Sequence, residues 1–189
     1  MTTTDSGTLT GLPGYVAGTW SIDPVHSEVG FTVRHMMVSK VRGKFRTFSG
    51  EIVTGADPLG SSVTAEIDLS SIDTGNEQRD AHIRSADFFE VETYPTMTYR
   101  STGVRQDGDV YILDGELTLK GVTKNVELAL ELNGFGPDAY GGTRAGFTAI
   151  AEINRRDFGV NFTAVMETGG AVVSDKVTIQ LEIEAVLQP

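Results

Sequence analysis

The sequence predicts an all-β fold, an antiparallel eight-stranded barrel with one short helical insertion near residues 76–90. Segment after segment alternates apolar and polar residues with a period of two, which gives each strand one dry and one wet face and favours antiparallel sheet over helix-covered parallel sheet. The segments follow one another through short turns rich in Gly, Asp and Pro. The inward positions include Gly43, Ala65, Gly115, Ala149, Ala151 and Ala185, small residues that leave room inside, and eight strands enclose a space for one small ligand. The competing reading is a sandwich in which large side chains opposite these positions fill the same space.

Residues 1–17, rich in Thr, Gly and Ser, are expected to form a flexible arm unless Leu12 and Tyr15 dock on the body, with the barrel domain spanning 18–189. From Trp20 the pattern tightens. Val29, Phe31, Val33 and His35 share one strand face, opposite Glu28, Thr32 and Arg34. Val41, Gly43 and Phe45 then alternate with Arg42, Lys44 and Arg46, before the register slips so that Phe48 and Ile52 carry it on. That slip requires a bulge or bend near Thr47. Val63, Ala65, Ile67 and Leu69 face one way in the next strand, and after the helical stretch Met97 and Tyr99 lead to a hairpin signalled by Asp107-Gly108. Tyr111, Leu113, Gly115, Leu117 and Leu119 alternate next, residues 121–125 are read as a connection, and Val126, Leu128, Leu130 and Leu132 resume the pattern. A loop over residues 133–142 precedes Phe147, Ala149, Ala151 and Ile153, and the last strand turns Val177, Ile179, Leu181, Ile183, Ala185 and Leu187 inward.

Only residues 71–95 break the two-residue rhythm. Thr74 and Glu77 have the spacing of a capping box, so a short helix is expected to begin near Asn76. Arg79, His82, Ile83 and Ala86 fall on one face of it, followed by Phe88 and Phe89. A helix that sets cations beside apolar residues reads as a lid with its polar groups turned partly inward.

A net charge of −11 over 189 residues, with a pI near 4.6, argues against binding nucleic acid or an anionic bilayer through a broad basic surface. The absence of cysteine excludes disulfides and thiolate metal sites. No run approaches the ~20 apolar residues of a membrane span. The first cationic side chain is Arg34 and no secretory signal is visible, so a cytoplasmic location is expected. The oligomeric state is left open, a homodimer included.

His26, His35 and His82 make up the ligand types of a catalytic zinc site. His35 lies on a dry strand face, whereas His26 would face the other way unless the chain bends after Pro24, and His82 must arrive from the helix. The alternative function is therefore a histidine-dependent metal-binding enzyme or isomerase at the barrel mouth, but no spacing of the HExxH kind supports it. Ser27 lacks a GxSxG elbow, and Asp80 has Arg84 at i+4 as a partner. No catalytic residue, metal or other cofactor is assigned. Arg79 and His82 can instead donate to an anionic or carbonyl head group at the mouth of an apolar shaft; an ion pair of Arg79 with Asp23 or Glu77 is the plainer alternative.

Asp23-Pro-Val-His26-Ser27, Phe31, His35, Gly43-Lys-Phe45, Ser71-Ile-Asp-Thr74, Arg79-Asp80-Ala-His82, Asp87-Phe88-Phe89, Tyr94-Pro95, Gly115-Glu-Leu117-Thr118, Gly121-Val-Thr123 and Asn154-Arg155-Arg-Asp157-Phe158-Gly159 stand in that order. With them the chain resembles the YceI-like family from about Gly18 to Leu187. The resemblance implies a lipocalin-like barrel and a non-enzymatic role in binding, storage or transport of a polyisoprenoid lipid, of the prenyl quinone or prenyl phosphate kind, in an apolar lumen. The expected ligand-binding residues are His26, Phe31, His35, Phe45, Arg79, His82, Phe88, Phe89, Ala149 and Arg155. Many members carry an export signal, and this sequence shows none.

Overall fold

The structure, a computed structural model, describes residues 11–164 and 172–189. Eleven strands wrap as eight. β1 (Gly18–Ile22), β4 (Phe48–Thr54), β5 (Ser62–Asp68), β7 (Thr96–Asp107), β8 (Val110–Leu119), β9 (Val122–Pro137), β10 (Thr143–Asn154) and β11 (Lys176–Leu187) form an antiparallel ring in that order. Pairing of Trp20 with Leu187 and of Ile22 with Ala185 closes it.

The remaining strands prolong the same wall. β2 (Glu28–His35) follows β1 along β11, with Phe31 opposite Ile179, while β3 (Ser39–Phe45) pairs with β2 and β6 (Ile72–Asp73) with β3. Thus β1 and β2, β3 and β4, and β5 and β6 are each one path broken by a bend. The bend expected near Thr47 is present, its amide donating to Ser71 Oγ at 3.0 Å and its carbonyl accepting from Asp68 N. Asp68 starts a 3-10 turn over Leu69–Ser71 by accepting from Ser70 N, so the break in β5 is local side-chain capping. Among the described residues β6 pairs only with β3 and not with β7. The chain between them carries the helix α1 (Glu77–Arg84).

Three connections differ from the sequence reading. β8 and β9 join through Lys120-Gly121 alone, both with left-handed φ (51° and 75°), so residues 122–125 belong to the strand. β9 continues to Pro137 across a register shift opposite Gly146/Phe147, leaving a loop over 138–142. Asp107 pairs with Val110, so the tight turn is Gly108-Asp109.

The ring is filled from two sides. Trp20, fully buried, packs with Ile22, Ile52, Ala145 and Ala185, and its indole N–H donates to Thr54 Oγ1 at 2.8 Å. A larger cluster around Leu69, Phe45, Leu117 and Phe158 occupies the half beneath α1. Residues 1–10 of the expected arm lie outside the described residues. Beyond them Tyr15 sits edge-on to Phe135 and donates to Gly55 O at 2.7 Å. Among the described residues no helix is long and apolar enough to cross a membrane.

Candidate functional site

Two cavities lie in line within the barrel. The inner one, about 180 Å³, is bounded by Leu12, Tyr15 and the interior faces of the closed ring, Ala65 and Ala149 among them. No charged side chain lines it among the described residues. The outer one, about 570 Å³, lies under α1 and is bounded by β2, β3 and the segments around Val160 and Val173. Met97 and Ile179 line both, which makes them the neck between the two.

The small inward residues divide into two kinds. Ala65 and Ala149 do border empty space. Gly43 and Gly115 do not: a Cβ on Gly43 would collide with the Phe31 ring, and one on Gly115 with the Tyr99 phenol. Ala185 is fully buried in the Trp20 cluster. Large side chains therefore occupy part of the room expected from these positions, as in the sandwich alternative, and the lumen is a pair of cavities instead of one wide tube. Tyr99 Oη donates to Val126 O at 3.0 Å, and burial raises the pKa of its phenol.

α1 is pinned by a compact polar knot. Asn76 caps it, its Oδ1 accepting from Arg79 N at 2.9 Å. Thr74, expected as the cap, instead donates its amide (2.9 Å) and hydroxyl (2.5 Å) to Oδ1 of the buried Asp80. Arg79 closes the knot by donating Nε to Thr74 Oγ1 and Nη2 to Thr74 O, each at 2.7 Å. Neither ion pair considered for Arg79 forms. Glu77 pairs with Arg84 at 2.8 Å, which corrects both the capping box and the Asp80–Arg84 pair expected at i+4. A buried carboxylate needs such compensation, and here the same bonds fix the helix to the turn that follows β6.

Of the ten expected binding residues, Phe31, His35, Phe45, Arg79, His82, Phe88, Phe89 and Arg155 line the outer cavity and Ala149 the inner. His82 lies edge-on to Phe88 and Phe162 at 5.1 and 5.0 Å, with Nε2 2.8 Å from Asp87 Oδ2, so the ring stands at the exposed rim of an aromatic cluster. Arg155 lines the cavity in a different role. Only 4% exposed, it donates to the carbonyls of Val160, Phe162, Val173 and Ser174, tying two chain segments together, and burial lowers its pKa.

His26 does not join the lumen. The bend after Ile22 is an Asx turn in which Val25 N donates to Asp23 Oδ1, and it carries His26 outward so that Nδ1 rests 2.7 Å from Asp23 Oδ2. The three imidazoles are therefore not brought together, which contradicts the metal-site alternative. Among the described residues the one group with metal-ligand proximity is Asp23, His26 and Glu184, yet Arg144 Nη1 already binds Asp23 and Glu184 at 2.8 Å each. The His26 hydrogen bond, and then that of Arg144, hold the Asp23 carboxyl far below the usual range.

Sequence reading missed Val160, Phe162, Val172 and Val173, which complete the outer cavity. Val160 and Phe162 are two apart in VNF, a signal too short to stand out beside the long strands.

An antiparallel eight-stranded barrel with an apolar, two-part lumen and polar groups gathered at one end defines a class of small-ligand-holding β-barrels. The chain belongs to the YceI-like family, whose domain model matches residues 20–185. It is 38% identical over 176 residues to Protein YceI of Escherichia coli O157:H7, covering 92% of this chain and 89% of that one. Among solved structures it is similar to Burkholderia cenocepacia BcnA, with a TM-score of 0.76 and 25% identity over 86% of this chain and 98% of that one. A polyisoprenoid binding domain from Saccharophagus degradans shares the fold, with a TM-score of 0.67 and 18% identity over 92% of this chain and all of that one.

Proposed function

We propose that this protein binds and carries or stores a polyisoprenoid lipid, of the prenyl quinone or prenyl phosphate kind, and that it does so without catalysing a reaction. The observation that supports this reading most is the polarity gradient along the lumen. The inner cavity has no charged lining residue, while Asn76, Gln78, Arg79 and His82 lie on the outer one, beside α1. An amphiphile with a long apolar tail and one polar end matches that order: the tail gains about 25 cal/mol per Å² of apolar area removed from water, and the head meets hydrogen-bond donors. The family membership and the ligand class in the name of the Saccharophagus degradans domain agree with it. Among the described residues that line the lumen, no pair of titratable side chains has the mutual geometry of a nucleophile and its base, in keeping with a carrier.

Organic extraction of protein purified from its own host, followed by mass spectrometry, is expected to release a prenyl lipid in near-stoichiometric amount. Protein that releases no lipid and fails to bind added prenyl quinones or prenyl phosphates overturns the reading.

A further inference from the structure

The β2–β3 hairpin combines three features that its place on the lumen does not require. Its tip, Met36 to Val38, is apolar yet exposed: Met36 by 43%, Met37 by 57% and Val38 by 85%. Met36 and Met37 both hold left-handed φ, 52° and 62°, a conformation that Gly or Asn adopts at lower cost than a side chain of this size. Tips of this kind are normally polar. The flanking strands carry Arg34, Lys40, Arg42, Lys44 and Arg46, five of the 15 cations of an acidic chain, in a span from Val29 to Gly50 that contains no Asp or Glu.

The register places these charges together. Arg34 stands directly opposite Lys40, and Arg42 opposite Thr32, on the outer face, with Arg34 also reaching the rim of the outer cavity that Val33, His35 and Val41 line from the inner one. Like charges paired across a ladder destabilise it unless something else neutralises them. Arg34, Lys40 and Arg42 make no ion pair among the described residues; Arg46 pairs with Asp73. An unneutralised cationic face behind an exposed apolar tip is complementary to an anionic bilayer, whose lipid phosphates attract the cations and whose acyl boundary receives the Met and Val side chains. A nucleic acid would satisfy the charges and leave the tip in water.

We infer that the β2–β3 hairpin docks this protein onto anionic lipid membranes, Met36, Met37 and Val38 entering the interface and Arg34, Lys40 and Arg42 facing lipid phosphates, so that the rim of the outer cavity meets the bilayer. The overall charge of −11 does not prevent this. At physiological salt fields fade over about 8 Å, so charges on the rest of the surface are screened while those in contact are not. The docking stands whichever guest fills the lumen, so its failure leaves the extraction experiment on the guest undecided and is read separately from it.

Cosedimentation of the full chain with vesicles tests the inference. Binding is expected to vesicles containing about 30 mol% phosphatidylglycerol, to be weak on pure phosphatidylcholine, and to be lost at about 1 M salt. Each cation near an anionic leaflet strengthens partition roughly fivefold, so Lys40→Gln with Arg42→Gln should weaken it roughly 25-fold. Met36→Asn with Met37→Gly suits the left-handed backbone, preserves the hairpin, and should weaken partition at least tenfold. No binding to the anionic vesicles, or binding that neither double variant alters, overturns the inference.

Discussion

Ala149→Trp tests the two-cavity lumen directly. Ala149 lies on β10 between Leu130 and Leu181 and faces the inner cavity of about 180 Å³. A cavity of ~150 Å³ takes one benzene, so by that scale the inner cavity takes about seven carbons and the outer one, at about 570 Å³, about twenty-three. The wild-type lumen therefore accommodates roughly six five-carbon isoprene units, and affinity should climb with tail length to that point and then level off. An indole at position 149 fills most of the inner space, and the loss of about one unit, five carbons at ~0.8 kcal/mol each, sets an upper bound of ~4 kcal/mol on the effect. Dissociation constants across a series of prenyl alcohols or quinones should be unchanged for two-unit tails and weakened at least tenfold for six-unit tails. Ala149→Leu should give a smaller shift, and a circular dichroism melt checks that both variants fold. Affinity independent of tail length, or equal loss for short and long tails, would refute the reasoning.

Gly115→Ala should destabilise the barrel by about 1–3 kcal/mol, because its Cβ meets the Tyr99 phenol, and in urea titrations the Gly115→Ala/Tyr99→Leu double variant should lose less than the sum of its singles. Arg155→Met, which leaves four carbonyls without their donor, should cost about 3 kcal/mol and speed hydrogen exchange in residues 158–164 and 172–175. Arg144→Gln should lower the urea midpoint at pH 7, since its guanidinium bridges Asp23, Asp138 and Glu184. Asp23 and Asp138 titrate below the ordinary carboxylate value, so their contribution is fully present above about pH 4 and fades as falling pH approaches their lowered folded-state values; the gap between variant and wild type should narrow steadily below about pH 4, Asp23 giving up its share last, and a gap that does not shrink between about pH 4 and pH 2 would refute the assignment.

The ring was legible because period-two alternation is a direct consequence of one wet and one dry sheet face, and β7, β8, β10 and β11 are long enough to show it. The bend near Thr47 was legible for the same reason, as a slip in that alternation. What small inward residues do was not. A glycine in a strand reads alike whether it borders vacant space or the ring of a residue distant in sequence, and only the register that sets Gly43 opposite Phe31 decides. Nor does helical spacing reveal that Asp80 turns back to Thr74 instead of forward to Arg84, since Thr74 lies outside the helix, in the turn that leads into it. His26 was misplaced by its position in the family motif, although alternation from His35 already turns it away from the dry face, and the Asx turn at Asp23 holds it outward. Net charge concealed the basic hairpin, being a sum over a surface whose contacts act locally.

The seam between β6 and β7 has a mechanical meaning. Around the closed ring, parting two strands severs a row of backbone hydrogen bonds, whereas among the described residues no such row joins β6 to β7, and Thr74, Arg79 and Asp80 anchor α1 to the end of β6 alone. The wall at this line can therefore part without breaking a rung of the ladder, so the residues that hold the ring closed are not the residues that hold this end of it in shape.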